Sequence, residues 1–283
     1  MMSIGGGLEE AEPSSALDWG SLADDLFRQG RYLEAAMMYE KALEIDSSDK
    51  SLWNSMGLAL CRLNRLPEAI SSFEKAMDID NAYLDARNNK GVVLYRIKMY
   101  QEALEIFEEI IKLDPGYVKA WYNKGVVKGK MGRHWEAINE YDKALEIDQT
   151  RPKIWNNKGS ALGNLGEYER AIMCFDQAID LKHNYAEAYL NRGVAYSKLG
   201  LFDQALKDFE QAIVIDPANT ESWCNRGEAL RRVQRYEEAL ECFNRAIAVD
   251  AGNSRAWQGK ALALKAQGKD DEAEEALARA AMI

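Results

Sequence analysis

Five asparagines stand 34 residues apart in this sequence: Asn89, Asn123, Asn157, Asn191 and Asn225. A primary amide carries hydrogen-bond donors and an acceptor. A row of amides can therefore pair with the N–H and C=O groups of an extended peptide, whatever its side chains. Asparagine is also a mediocre helix former, so its recurrence inside a helical pattern asks for a reason. A second reason is available, because an amide can bond to a neighbouring helix and lock adjacent segments together. The sequence leaves both open.

Cations flank these amides at helical spacing: Arg28, Arg62, Arg96, Lys119, Lys130, Lys153, Lys198, Arg231, Arg232, Arg255 and Lys265. Against these eleven stand Asp24, Asp85, Glu187, Glu221 and Glu228, so one face counts about +6 in a chain of net charge −10. A basic lining on an acidic protein attracts acidic or C-terminal carboxylate segments with strong salt sensitivity. Helix C-termini favour cations in any case, but that effect does not reach Lys119 or Lys153, which lie near helix starts.

Catalytic chemistry finds no comparable pattern. His134 and His183 are the two histidines, and neither belongs to an HExxH or nucleophile-elbow motif. Cys61, Cys174, Cys224 and Cys242 form no CxxC pair, which favours buried thiols over disulfides or zinc. The stretch GVVKGK at 125–130 is one residue short of a phosphate loop and sits inside a helical pattern. No catalytic residue, metal or cofactor is expected, and the chain reads as a non-enzyme.

Composition agrees with a folded chain: 47% hydrophobic, 29% charged and 5 prolines exclude collagen-like and wholly disordered classes. No window reaches the ~18 apolar residues of a membrane helix, and the first residues lack a basic start followed by an apolar run, so a cytoplasmic protein is expected. Net acidity disfavours nonspecific attachment to DNA or anionic lipid.

The elements that position the asparagines follow from the period. Windows of 34 begin at Ala16 and cover 16–49, 50–83, 84–117, 118–151, 152–185, 186–219, 220–253 and 254–283, after a glycine-bearing flexible tail over 1–15. Position 4 of the windows is tryptophan in six, and position 8 is Gly57, Gly91, Gly125, Gly159, Gly193 and Gly227 in the inner six. Alanine fills position 20 in all eight, and position 24 is aromatic in seven. Positions 4, 8 and 11 share one helical face, as do 20, 24 and 27, so each window predicts two antiparallel helices. Glycine inside a helix costs about 1 kcal/mol against alanine, and close approach of the two helices is the expected compensation.

These residues closely resemble the tetratricopeptide repeat, whose W-x2-L-G-x2-Y, A-x3-F, A and P positions recur over 16–283. The resemblance implies an all-α, right-handed superhelical solenoid, with first helices lining a concave surface and second helices facing outward. Two departures stand out. Position 7, leucine in the family, is Lys90, Lys124, Lys158, Arg192, Arg226 or Lys260 in six windows, whose heads are expected to reach solvent. The proline of position 32 survives only as Pro115 and Pro217, which is expected to loosen some turns.

The asparagines, at position 6, are similar to the ladders of O-linked N-acetylglucosamine transferase and kinesin light chains. First helices ~10 Å apart would bring each amide to every third residue of a strand rising ~3.3 Å per residue. The carboxylate-gripping set of the family's co-chaperones is not reproduced, because Asn88, Val92 and Asn157 occupy three of its positions. The expected function is thus a non-catalytic protein-interaction scaffold holding an extended, acidic segment. Its peptide contacts are the five asparagines with Arg96, Lys119, Lys130, Lys153, Lys198 and Arg232. Two alternatives stay open: single-stranded nucleic-acid binding by the basic face, where Phe27, Tyr95 and Tyr122 are the few stacking candidates, and a regulatory subunit of an enzyme. A homodimer through the last repeat, with its apolar residues 280–283, is a further expectation.

Overall fold

The structure, a computed structural model, describes residues 14–283. The tail expected over 1–15 therefore lies almost wholly outside the described residues. Those residues form sixteen helices and no strand. The pairs are α1 (Ala16–Arg28) with α2 (Tyr32–Ile45), α3 (Lys50–Arg62) with α4 (Leu66–Ile79), and α5 (Leu84–Arg96) with α6 (Tyr100–Leu113). Next come α7 (Val118–Lys130) with α8 (His134–Ile147), α9 (Pro152–Asn164) with α10 (Tyr168–Leu181), and α11 (Ala186–Lys198) with α12 (Phe202–Ile215). The last are α13 (Thr220–Arg232) with α14 (Tyr236–Val249), and α15 (Ser254–Ala266) with α16 (Asp270–Ala281). Every first helix begins on the first residue of a 34-residue window. The chain falls into two compact units, Met1–Val127 and Lys128–Ile283.

Within each unit a second helix packs against its own first helix and the next one. First helices also touch each other, α1 with α3 and α3 with α5 in one unit, and α9, α11, α13 and α15 in succession in the other. Second helices make no such mutual contact among the described pairs. Each stack is consequently tighter on the side of its first helices, where position 6 lies.

Space for that packing comes from the glycines of position 8, though not as their spacing with alanine suggests. A Cβ on Gly57 would stand 2.5 Å from the Phe73 ring, and one on Gly91, Gly159 or Gly193 would stand 2.7 Å from Phe107, Phe175 or Phe209. The ring of position 24, fully buried in Phe73 and Phe107, fills the place a side chain would take. The compensation for helical glycine is a buried aromatic ring; alanine at position 20 merely lets the helix close over it.

Turns are closed by repeated polar devices. The indole N–H of Trp53, Trp155 and Trp257 donates to the carbonyl six residues earlier, on Ser47, Gln149 and Ala251, at 2.9, 2.9 and 3.0 Å. Where arginine replaces tryptophan, Arg87 donates to the equivalent carbonyl of Asn81 at 2.9 Å. That carbonyl belongs to position 32, so the turn needs a backbone oxygen there and not a proline. Just before it, aspartates at position 31 accept the amide two residues on: Asp46 from Ser48, Asp114 from Gly116, and Asp148 from Thr150. The expected loosening is thereby corrected: turns without proline keep the same bonds.

Such aspartates, and glutamates in the first turns of second helices, are held below their ordinary carboxyl values. The Arg151 hydrogen bond, with the Thr150 hydroxyl and amide, holds Asp148 down at about 2. Ser48 lowers Asp46, and Lys50 lowers Asp80. Arginines opening the second helices lower Glu34, Glu68 and Glu136 in the same way. A carboxyl depressed in the folded state contributes stability above its unfolded value, near ~4, and loses it as pH falls through the folded value. Helix content followed by circular dichroism should therefore decline between about pH 4 and pH 2. A flat signal down to pH 2, or melting centred above pH 5, would contradict this assignment.

Between the two helices of a pair, the turn needs one residue at positive φ. Glycine supplies it at Gly30, Gly132, Gly166, Gly200 and Gly268, while Asn64, Lys98 and Gln234 adopt φ of 60°, 66° and 63°. Lys98→Gly and Gln234→Gly should each stabilise the chain by about 0.5–1 kcal/mol, because left-handed backbone is costly for these residues. Thermal melts of the two variants check this, and an unchanged or lower midpoint would count against it.

Position 7 departs from expectation. Lys90 pairs with Glu74 at 2.7 Å and Lys124 with Glu108 at 3.2 Å, while Lys158 pairs with Asp142 and Arg192 with Asp176. Each acid sits 16 residues earlier, at position 25 of the preceding repeat. The four cationic side chains are only 13–20% exposed, so their heads bridge adjacent repeats instead of reaching solvent. Lys158 also lies over the Trp155 ring, 5.4 Å from its centre.

Candidate functional site

The position-6 amides lie on the side where first helices meet, and all five are half-buried. Asn89 donates to the side-chain oxygen of Asn54 at 2.9 Å, and Asn123 to that of Asn88 at 2.8 Å. Asn191 donates to Asn156 at 3.1 Å and to the Ser160 hydroxyl at 3.3 Å. Each partner asparagine occupies position 5 of the preceding repeat, 35 residues back, and is itself buried. At these three places the amide ties one repeat to the next with one N–H. The carbonyl oxygens of Asn89, Asn123 and Asn191 make no hydrogen bond among the described residues. Asn157 receives a 3.5 Å contact from Asn156, which also donates to Glu187 at 3.1 Å.

The sequence analysis gave Asn54, Asn88 and Asn156 no part in the row of amides. The doublets Asn88-Asn89 and Asn156-Asn157 were the available signal. Neighbouring positions of one helix point about 100° apart, so two faces were being specified at once.

Asn225 breaks the pattern because the preceding repeat has Leu190 at position 5, which offers no acceptor. The amide nitrogen of Asn225 is buried with no hydrogen-bond partner. Its oxygen accepts from the Arg255 guanidinium. Both residues line a cavity of about 470 Å³ that also includes Lys198, Arg232, Glu221 and Glu228, with Val194, Phe202 and Ala229 among its apolar lining. An adjoining cavity of about 400 Å³ shares Val194 and Lys198 and is lined by Asn191, Ser160 and Tyr168.

The expected cations divide into two groups. Lys119 pairs with Asp85 at 3.1 Å, and Arg96 donates to the Cys61 carbonyl at 3.3 Å. Lys130, Lys153, Lys198 and Arg232 are exposed and make no ion pair among the described residues. All four belong to Lys128–Ile283. Of the aromatic candidates for base stacking, Phe27 packs edge-on against Tyr32 at 5.2 Å, and Tyr95 lies 6.0 Å from Tyr100.

Other chemistry is thinly represented. Among the described residues no group of His, Cys, Asp or Glu is arranged to hold a metal ion. Burial raises the Cys174 thiol to about 11 and pushes Cys242 up as well, which keeps both in the unreactive thiol form. No helix among the described residues is long and apolar enough to cross a membrane. At the C-terminal edge Leu277, Met282 and Ile283 are exposed.

Paired helices on a 34-residue period, with small residues under a buried ring, define a helical-repeat protein of the interaction-scaffold type. The sequence matches the tetratricopeptide repeat at residues 20–45, 49–115, 118–151, 140–173, 159–200, 186–219, 220–253 and 254–283. The chain belongs to the tetratricopeptide repeat family. No curated protein matches it. Its fold is similar to that of a tetratricopeptide repeat protein from Parabacteroides merdae, at 17% identity and a TM-score of 0.66, over 88% of this chain and 98% of that one. Pseudomonas aeruginosa pilF is similar over 73% of this chain and 94% of its own, at 22% identity and a TM-score of 0.63. YrrB, described as a TPR protein with an unusual peptide-binding site, is 24% identical over 65% of this chain and 95% of its own, with a TM-score of 0.50.

Proposed function

We propose that this protein is a non-catalytic scaffold that holds an extended, acidic peptide segment along the side formed by its first helices. One observation carries the reading: Lys130, Lys153, Lys198 and Arg232 stand exposed and without ion pairs on α7, α9, α11 and α13, in a chain of net charge −10. A protein with ten surplus anions nearby leaves these cations unneutralised, which favours an anionic partner at that face. The peptide-binding description of YrrB, a protein of like fold, points the same way.

Amides add to this reading in a reduced role. Asn89, Asn123 and Asn191 each keep a carbonyl oxygen with which to accept a peptide N–H, since only their amide nitrogens bond to the stack. At about 1 kcal/mol net per hydrogen bond, these bonds do no more than offset the roughly 2–5 kcal/mol of ordering a flexible ligand, so the affinity rests on the cations.

Fluorescence anisotropy with a glutamate-rich dodecapeptide, and with its glutamine counterpart, tests the proposal. The acidic peptide should bind in the micromolar range and weaken severalfold between about 50 and 200 mM salt. Lys130→Gln with Lys153→Gln should weaken it further while leaving helix content unchanged. Equal binding of both peptides would overturn the reading.

A further inference from the structure

We propose that the second unit carries a separate docking site on the side of its second helices, where a basic segment of another protein sets a lysine against Trp155. The opening follows from the packing. First helices touch one another and second helices do not, so the stack is looser along the second helices. A cavity of about 400 Å³ between α9 and α10 is walled by Trp155, Leu162, Met173 and Cys174 and reaches Asp176 and Gln177. Met173, 68% exposed, stands at its rim.

Two other repeats supply the template for its occupant. Position 26 is Lys41 in the first repeat and Lys75 in the second, and each ammonium lies 4.2 Å from the centre of its own position-4 ring, Trp19 or Trp53. The fifth repeat keeps the tryptophan and lacks the lysine. Its position 26 is Gln177, a neutral side chain on the same cavity as Trp155. Lys158 lies farther out, 5.4 Å from the ring centre, with its head drawn to Asp142 of the preceding repeat. The place that a lysine fills in the first two repeats is thus left to a cation from outside.

Charge sorts by side in this unit. α9 has two bases and no acid, and α11 and α13 each have one more base than acids. α8 has four acids and one base, while α10, α12 and α14 have three acids and one base each. The cations at the cavity are already paired, Lys158 with Asp142 and Arg170 with Glu167. Exposed acids nearby are not: Glu169 and Asp180 on α10 make no ion pair among the described residues. Glu169, Met173, Asp176 and Asp180 follow at spacings of four, three and four, so they form one stripe of α10 that runs past the cavity. An incoming lysine lays its methylenes on Leu162 and Met173 and its ammonium on the Trp155 ring, and basic neighbours in the segment meet Glu169 and Asp180.

Fluorescence anisotropy with a dodecapeptide carrying four lysines in a Gly/Ser background, and with its acetyl-lysine counterpart, tests the site. The lysine peptide should bind wild type, and the acetylated one should not. Gln177→Lys plants in cis the cation found over Trp19 and Trp53, and it should lower affinity about tenfold. Gln177→Ala leaves the ring open and should bind like wild type. Gln211→Lys makes the same charge change at the same repeat position of α12, away from Trp155, and should cost no more than about twofold. Glu169→Gln with Asp180→Asn should weaken binding severalfold. All these positions are exposed, and circular dichroism checks that helix content is kept. Equal losses in Gln177→Lys and Gln211→Lys, equal binding of the acetylated peptide, or no binding of the lysine peptide to wild type would each overturn the site. None of these outcomes bears on the acidic segment proposed for the first helices, which its own peptides test.

Discussion

Arg192→Met should destabilise the sixth repeat by about 3–5 kcal/mol, the usual cost of stranding a buried charge. Arg192 grips Asp208 with two hydrogen bonds of 2.7 Å and reaches Asp176 with its remaining nitrogen. Asp208 is 5% exposed, whereas Asp176 keeps 42% of its side chain in water and tolerates the loss. Burial already raises the Asp208 carboxyl, although the Arg192 bonds oppose it. Removing the arginine leaves only burial. A carboxyl whose folded value lies above its unfolded one stabilises the fold when protonated and loses that contribution as pH rises through the folded value. The deficit of Arg192→Met should therefore be smaller at pH 5 than at pH 8. Adding Asp208→Ile should restore stability to within about 1 kcal/mol, because an apolar replacement of both partners removes the desolvation cost. Both substitutes already occur at these repeat positions, as Met56 and Ile106. Repeat arrays unfold by parts, so hydrogen exchange in α11 and α12 is the proper measure. Equal protection in Arg192→Met and wild type would contradict the assignment.

Gly57→Val should cost about 3 kcal/mol, at the upper end for overpacking. The new Cβ would lie 2.5 Å from Cε1 of Phe73, a ring with no exposure and no room to retreat. Alanine is accepted at this position in the terminal repeats, as Ala23 and Ala261, opposite Tyr39 and Leu277. Valine branches at Cβ and cannot turn both methyls away from the ring. Phe73→Leu should recover part of the loss, since leucine stands at that position in the last repeat. Chemical denaturation of the single and double variants decides it: additive losses would show that the glycine serves some purpose other than the ring.

Much of the fold was legible because a repeat writes each requirement several times. Every first helix starts at the first residue of its window, and the small residues of positions 8 and 20 mark the inside of each hairpin. Spacing alone could not say which atoms meet. It paired glycine 8 with alanine 20, when the ring of position 24 is the true neighbour. The inter-repeat ion pairs were written in the sequence as cation and acid 16 residues apart, from Lys90 with Glu74 to Arg192 with Asp176. Reading each helix by itself hid them. The aspartates of position 31, visible as Asp46, Asp80, Asp114, Asp148, Asp216 and Asp250, carried the turn chemistry ascribed to a missing proline.

The candidate site was legible at the level of a face and not of a contact. A period of 34 puts each asparagine at the same place in its repeat, but whether its amide meets a neighbour depends on the residue 35 positions earlier. Asn54, Asn88 and Asn156 accept there, and Leu190 does not. Spacing likewise could not separate Lys119, held by Asp85, from Lys153, Lys198 and Arg232, which make no ion pair among the described residues.

Photo-crosslinking gives the most direct test of where a ligand lies. A glutamate-rich dodecapeptide bearing a benzophenone at successive positions, irradiated with the protein and mapped by mass spectrometry, reports which helices it touches. Adducts should fall on α9, α11 and α13, moving stepwise along them as the label moves along the peptide. Adducts on α10, α12 and α14, or a pattern indifferent to label position, would contradict a segment held along the first helices.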